Sequence, residues 1–136
     1  MINYKILLVD DEVDFLAPLR KRLIKRGFKV EEAHSGEAGL EALVGYEADV
    51  VVLDVKMPGM DGIATLHKIK ESWPLVEVIM LTGHASMEAA IRGMELGAFD
   101  YLMKPVDFTE LCHKLEDAAI RKAYMDDKIR QGSQGL

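Results

Sequence analysis

The stretch VVVLDVKMPGMDG, Val50 to Gly62, decides how the chain is read. Four apolar residues run straight into a carboxylate, Asp54, and then Lys56, Pro58, Gly59, Asp61 and Gly62 break the pattern. A short continuous run of valine and leucine is what a strand covered on both faces requires. Such a strand has no use for a charge in its body. Asp54 therefore ends the strand, at an edge of the sheet where a side chain can serve a site.

Similar runs recur on either side. They are KILLV (Lys5 to Val9), FKVEEA around Val30, VEVIML (Val76 to Leu81) and a short FDYLM ending at Met103. Helix-length amphipathic stretches separate them. Phe15 to Arg26 carries Leu16, Leu19 and Leu23 on one face and closes at Gly27, the expected left-handed cap. Pro18 fits this helix if Asp14 is its N-cap, because only the first intrahelical bond is then lost; otherwise the helix kinks. Ser35, Asp61 and Ser86 open the second, third and fourth helices, and Asp107 with Glu110 gives the fifth a capping-box-like start. Strand and helix alternate five times. That order predicts a parallel sheet with right-handed crossovers and helices on both faces.

Composition sets the outer bounds. A chain of 136 residues makes one domain with a real core, and 49% hydrophobic with 29% charged residues is an ordinary globular balance. The net charge of −6 argues against a surface built to grip nucleic acid. One cysteine excludes an internal disulfide, and Cys112 falls among Phe108, Leu111 and Leu115 at helical spacing, which predicts a buried structural thiol. With no signal region and no apolar run near 18 residues, a soluble, cytoplasmic protein is expected, without membrane contact. No internal repeat or low-complexity segment appears, and the tail QGSQGL, Gln131 to Leu136, reads as disordered.

In such a sheet all strand C-terminal ends share one edge, and ligands of open α/β sheets bind there. Standing at those ends are Asp10 and Asp11, then Asp54, Thr82 and Lys104, the last followed by Pro105. Singly each has a plain explanation: the first two aspartates could cap a helix, and Asp54 could belong to the turn at Pro58 and Gly59. Their conjunction at one edge points to a site. Two like charges about 4 Å apart cost roughly 4 kcal/mol at an effective dielectric of about 20, so three carboxylates need a cation or a raised pKa. Oxygen ligands with room for water suit Mg²⁺. Lys104 and Thr82 suit phosphoryl oxygens, and the set as a whole makes an acceptor for a phosphoryl group.

The segments LLVDDE, LDVKMPGMDG, MLTGHA and YLMKP resemble the signature segments of two-component response-regulator receiver domains, in the same order, across roughly residues 3 to 122. The resemblance implies the flavodoxin-like (βα)5 fold, doubly wound, with a five-stranded parallel sheet in the order 2-1-3-4-5. It implies Asp54 as phosphoacceptor, charged by a histidine kinase, a phosphotransfer protein or a small phosphodonor. Asp11 and Asp54 would ligate Mg²⁺ directly, with the Lys56 carbonyl as a third ligand and Asp10 acting through water. Thr82 and Lys104 would contact the phosphoryl oxygens, Tyr101 would swing inward when Thr82 moves, and Lys104-Pro105 would be a cis bond. Lys56 and His84 flank the route of water to the acyl phosphate. They are either solvated loop residues or the pair that sets the lifetime of the phosphorylated state.

Such a domain is no enzyme beyond catalysing its own phosphorylation and dephosphorylation. It would switch the face of the fourth helix, fifth strand and fifth helix to control an output domain or partner protein. It would make no direct nucleic acid contact itself. The segment from Leu81 to Pro105 is most similar to receivers attached to AAA+ transcription activators. The rival reading is an aspartate-nucleophile phosphatase of the haloacid-dehalogenase type, which wants a second aspartate where Lys56 stands. A P-loop enzyme is excluded, for the chain has no G-x-x-x-x-G-K-[ST].

The receiver would occupy residues 1–122 and a helical extension with its tail 123–136. Leu111, Leu115, Ala118, Lys122, Met125 and Ile129 follow heptad spacing, so the last helix is expected to run to about Ile129. Past Lys122 it would pair with its twin in a homodimer that responds to phosphorylation. The other reading is that Leu111 and Leu115 cover the sheet and the rest frays.

Overall fold

The computed structural model describes residues 3–57, 59–83 and 87–134. Five strands, β1 (Lys5–Val9), β2 (Lys29–Ala33), β3 (Val50–Asp54), β4 (Glu77–Thr82) and β5 (Asp100–Met103), pair in parallel in the order β2-β1-β3-β4-β5. Between and after them lie α1 (Val13–Arg26), α2 (Gly36–Gly45), α3 (Gly62–Ser72), α4 (Met87–Glu95) and α5 (Phe108–Gln134). Every run read as a strand is one, and the doubly wound order is the one expected.

Strand alternation divides the core in two. Ile6, Leu8, Val50, Val52, Ile79 and Leu81 face α1 and α5, meeting Leu16, Leu23, Leu111 and Leu115. Their neighbours Leu7, Val9, Val51, Leu53, Val78 and Met80 face the opposite layer, meeting Leu43, Leu66 and Ile69. Because successive side chains point to opposite faces, strands apolar at every position are the ones buried twice. Register places Asp54 opposite Leu81 and Thr82 opposite Met103, so both polar residues fall at the same sheet edge.

Two expectations about helices need correction, and one open alternative is decided. The N-cap of α1 is Glu12, not Asp14. The Glu12 amide is already satisfied by the Asp10 carboxylate, and the Val13 amide donates to the Asp11 carbonyl, so the helix starts at once. Pro18 therefore lies inside the helix and removes one interior bond. At the other end of the chain, α5 continues to Gln134, so residues 131–134, read as disordered from composition, are helical. Leu111, Leu115 and Ala118 are wholly buried in the sheet-facing core and are not open to a partner helix. Ser35, Asp61 and Asp107 cap as expected, accepting from the amides of Ala38, Ala64 and Glu110. Cys112 is buried. Pro58, His84 and Ser86 lie outside the described residues.

Candidate functional site

The acidic site is assembled by strand ends. The Asp10 amide donates to the Ala33 carbonyl at 3.0 Å, the last link between β1 and β2, and this turns the Asp10 side chain onto the sheet edge. Asp54 is the last residue of β3; next to it the Val55 amide donates to the Leu81 carbonyl at 3.0 Å. The chain then folds back, and the Gly62 amide donates to the Val55 carbonyl at 2.9 Å. A Cβ on Gly62 would collide with the Asp54 carbonyl oxygen and the Val55 Cα, so only glycine permits the close return of the loop. The Lys104 amide donates to the Thr82 carbonyl at 2.8 Å, which sets the lysine beside the end of β4.

From that backbone Lys104 reaches across the edge. Its Nζ lies 2.8 Å from Asp10 Oδ2, 3.0 Å from Glu12 Oε1 and 3.8 Å from Asp54 Oδ1. It also sits 4.4 Å from the centre of the Phe15 ring. Asp10 and Asp54 are buried, at 1% and 4% exposure. Asp10 Oδ1 accepts from the Glu12 amide at 2.9 Å, and Asp54 Oδ1 accepts from the Lys56 amide at 3.4 Å. Thr82 is buried at the end of β4.

The electrostatics follow from this crowding. Burial, then the Asp10 carboxylate, push the Asp54 pKa from 3.8 up to about 7, against the Lys104 ammonium and the Lys56 amide, with Asp11 adding a weaker push upward. Burial alone would lower the Lys104 pKa, but its bonds to Asp10 and Glu12 outweigh burial and hold it above its ordinary value. One ammonium thus serves three carboxylates, and Asp54 is the one left under-compensated.

Carboxylate oxygens of Asp10, Glu12 and Asp54 lie within 4.8 Å of one another, a set able to hold a cation. All donors are oxygen, two of the three acids are buried, and one of those two, Asp54, has a raised proton affinity. These are the properties of a site that a small hard divalent cation would relieve. Glu12 was assigned no role from the sequence. Its signal was present in the LLVDDE run, where a third acid follows two others at the start of a helix. Asp11, expected as a direct ligand, is exposed and outside this three-oxygen group, though near enough to act on Asp54. The Lys56 side chain is exposed.

The remaining expected residues stand close by. The Lys104-Pro105 peptide is cis. Tyr101 is half-buried against the Met80 layer of the core, its amide donating to Asp100 Oδ1 at 2.8 Å. It borders a shallow cleft with Ala90, Ile91, Met94 and Glu95 of α4. Ile91 and Met94 are exposed there. Among the described residues, no helix is long and apolar enough to cross a membrane.

Comparison with known proteins agrees with this geometry. Residues 6–116 match the family model described as response regulator receiver domain. The chain is 41% identical over 116 residues to the transcriptional regulatory protein ZraR of Escherichia coli K12, covering 85% of this chain and 26% of that protein. It is 38% identical over 113 residues to the DNA-binding transcriptional regulator NtrC of the same organism, covering 83% of this chain and 24% of that protein. The chain thus spans about a quarter of the length of these curated relatives. Among solved structures, a response regulator receiver domain protein from Clostridium thermocellum superposes with a TM-score of 0.86 at 38% identity, covering 90% of this chain and 98% of that one. NtrX from Brucella abortus, crystallised with ADP, gives 0.87 at 30% identity, covering 93% of this chain and 29% of that one.

Proposed function

The chain belongs to the response regulator receiver family of two-component systems, and from that premise we propose that Asp54 is its phosphoacceptor. A carboxylate oxygen of Asp54 attacks the phosphorus of a histidine kinase's phosphohistidine, or of a small phosphodonor. The P–N or P–O bond to the leaving group breaks as the new P–O bond forms, leaving an acyl phosphate. The observation that carries this reading is the span of Lys104, which touches Asp10 and Glu12 and stands 3.8 Å from Asp54 Oδ1.

Transfer of this kind is mainly positioning and charge neutralisation. β3 fixes the acceptor, and the Lys56 amide at 3.4 Å orients one of its oxygens. The Lys104 ammonium is a point charge for phosphoryl oxygens, and the Thr82 hydroxyl would meet another. Asp10, Glu12 and Asp54 would hold Mg²⁺, with Asp11 close enough to join through its exposed side chain. Bound there, the ion would neutralise charge on acceptor and phosphoryl oxygens.

The domain is not a classical enzyme; we assign it only its own phosphorylation and dephosphorylation. The phosphatase alternative gains nothing, since Lys56 stands where that chemistry needs an acid and the family match lies elsewhere. Lys56 and His84 are the residues we assign to the lifetime of the acyl phosphate. Phosphorylation draws Thr82 toward Asp54 and lets Tyr101 turn inward, changing the cleft it shares with α4; both states pre-exist and their populations shift. That face then acts on an output domain or partner, in the cytoplasm, in regulating transcription. A phosphorylation-dependent homodimer through α5 beyond Lys122 completes the reading, with light scattering before and after phosphorylation as its check.

Incubation with acetyl phosphate and Mg²⁺ should add one phosphoryl group that hydroxylamine removes. Labelling that persists unchanged in Asp54→Asn, or proceeds equally in EDTA, defeats the assignment.

A further inference from the structure

At the N-terminal edge of the sheet, opposite the acidic pocket, α5 is tied to the strands by charge. Arg121 Nε lies 3.1 Å from Glu77 Oε2. Lys122 Nζ lies 3.6 Å from Asp49 Oδ1 and 2.9 Å from Asp126 Oδ2. Both acids on the body side are already fixed. Glu77 is the buried first residue of β4, and its other oxygen is 3.5 Å from Lys70 Nζ. Asp49 immediately precedes β3, and its Oδ2 accepts from the Lys5 amide at 2.8 Å. Burial would lower the Lys122 pKa, but Asp126 and Asp49 outweigh it and raise the value.

These contacts explain a residue that heptad spacing does not. A lysine in a hydrophobic seam is unfavourable, whereas here it turns toward the body. Among the described residues they are also the last ion pairs that join α5 to the body of the domain. Residues 123–134 include Gly132 and two successive acids, Asp126 and Asp127, while the last turn has no base to complement the dipole. Roughly a dozen such residues are marginal as a helix in water unless propagated from a fixed end.

The structure assigns Arg121 and Lys122 as an electrostatic anchor, the positioning residues that hold the α5 extension helical and in register with β3 and β4. These are the strands that end in Asp54 and Thr82. The extension is therefore carried by the same strands as the acidic site, and whatever it engages receives a helix of fixed direction.

Amide hydrogen exchange on the full chain tests this directly. Amides of residues 123–130 should exchange about three- to fivefold faster than in the parent chain in Lys122→Met, and about twofold faster in Arg121→Gln, whose side chain is largely exposed, with β1 and β3 amides unchanged in both. Asp49→Asn should match Lys122→Met over residues 123–130, apart from the Lys5 amide that Asp49 itself accepts from. Lys122→Arg should retain most of the protection. The Lys122→Met/Asp49→Asn double variant should be no worse than the worse single one, because one pair is being removed twice. Salt near 1 M should reproduce part of the loss in the parent chain. Exchange within about twofold of the parent in both Lys122→Met and Arg121→Gln overturns the anchor. So does an equal acceleration in β1 and β3, or effects that multiply in the double variant.

Discussion

Replacing Asp54 by asparagine should stabilise the metal-free protein at neutral to alkaline pH and do much less in acid. Burial at the end of β3, then the Asp10 carboxylate, raise the folded-state pKa of Asp54 from 3.8 to about 7. An acid with a higher pKa folded than unfolded takes up a proton on folding between those values. Its contribution to stability is full below about pH 4 and is lost as pH rises through about 7. At about 1.4 kcal/mol per tenfold in acidity, the whole span is worth about 4 kcal/mol. Water at the rim of the pocket reduces this, and a loss of about 2–4 kcal/mol is expected. Urea unfolding in EDTA, repeated from about pH 4.5 to about 8.5 on parent and Asp54→Asn, isolates the group in the difference between the two curves. That difference should fall steadily as pH rises from about 4.5 to about 7 and level off above that. Mg²⁺ competes with the proton for the same oxygens, so its affinity should climb with pH up to about 7 and then level. A difference that is flat, or that rises with pH, refutes the burial and repulsion ascribed to Asp54.

Three further outcomes are expected. At about ten times its Kd, Mg²⁺ should stabilise the fold by roughly 1.4 kcal/mol, a melting shift of roughly 4–6 °C; a shift retained by Asp11→Asn but lost in Glu12→Gln would make Glu12 the third ligand, and no shift in the parent chain would remove the metal site. Gly62→Ala should cost about 2–3 kcal/mol, because its Cβ meets backbone of Asp54 and Val55 that cannot step aside, whereas Gly45→Ala, with nothing within 4 Å, should be neutral or better in chemical denaturation. Cys112, fully buried and with its thiol pKa raised chiefly by that burial, should react with a thiol reagent only as fast as the protein unfolds; prompt labelling of the native protein would contradict its packing.

The doubly wound sheet was legible because local pattern and global fold agree. Each apolar run of β1, β3 and β4 needs cover on both faces, and helices with one apolar stripe are what supplies it. The caps at Ser35, Asp61 and Asp107 were legible for a similar reason, since a side chain that bonds an amide three residues on is a purely local device. Strand ends then carried Asp10, Asp54, Thr82 and Lys104 to one edge, so the candidate site followed from sequence order once the sheet was parallel.

What sequence order could not decide was which carboxylate meets which cation. Asp10, Asp11 and Glu12 are three successive acids, and only the turn into α1 determines that Asp10 is buried, Asp11 faces water and Glu12 reaches Lys104 at 3.0 Å. The raised pKa of Asp54 is likewise a property of burial and neighbours and not of the residue. Lys122 makes the point at the other edge. Its spacing along α5 matches a seam, but Asp49, distant in sequence, is brought 3.6 Å away by the pairing of β3 with its neighbours. Periodicity is a property of the chain, and charge partnership across the fold exists only when strands far apart in sequence lie side by side.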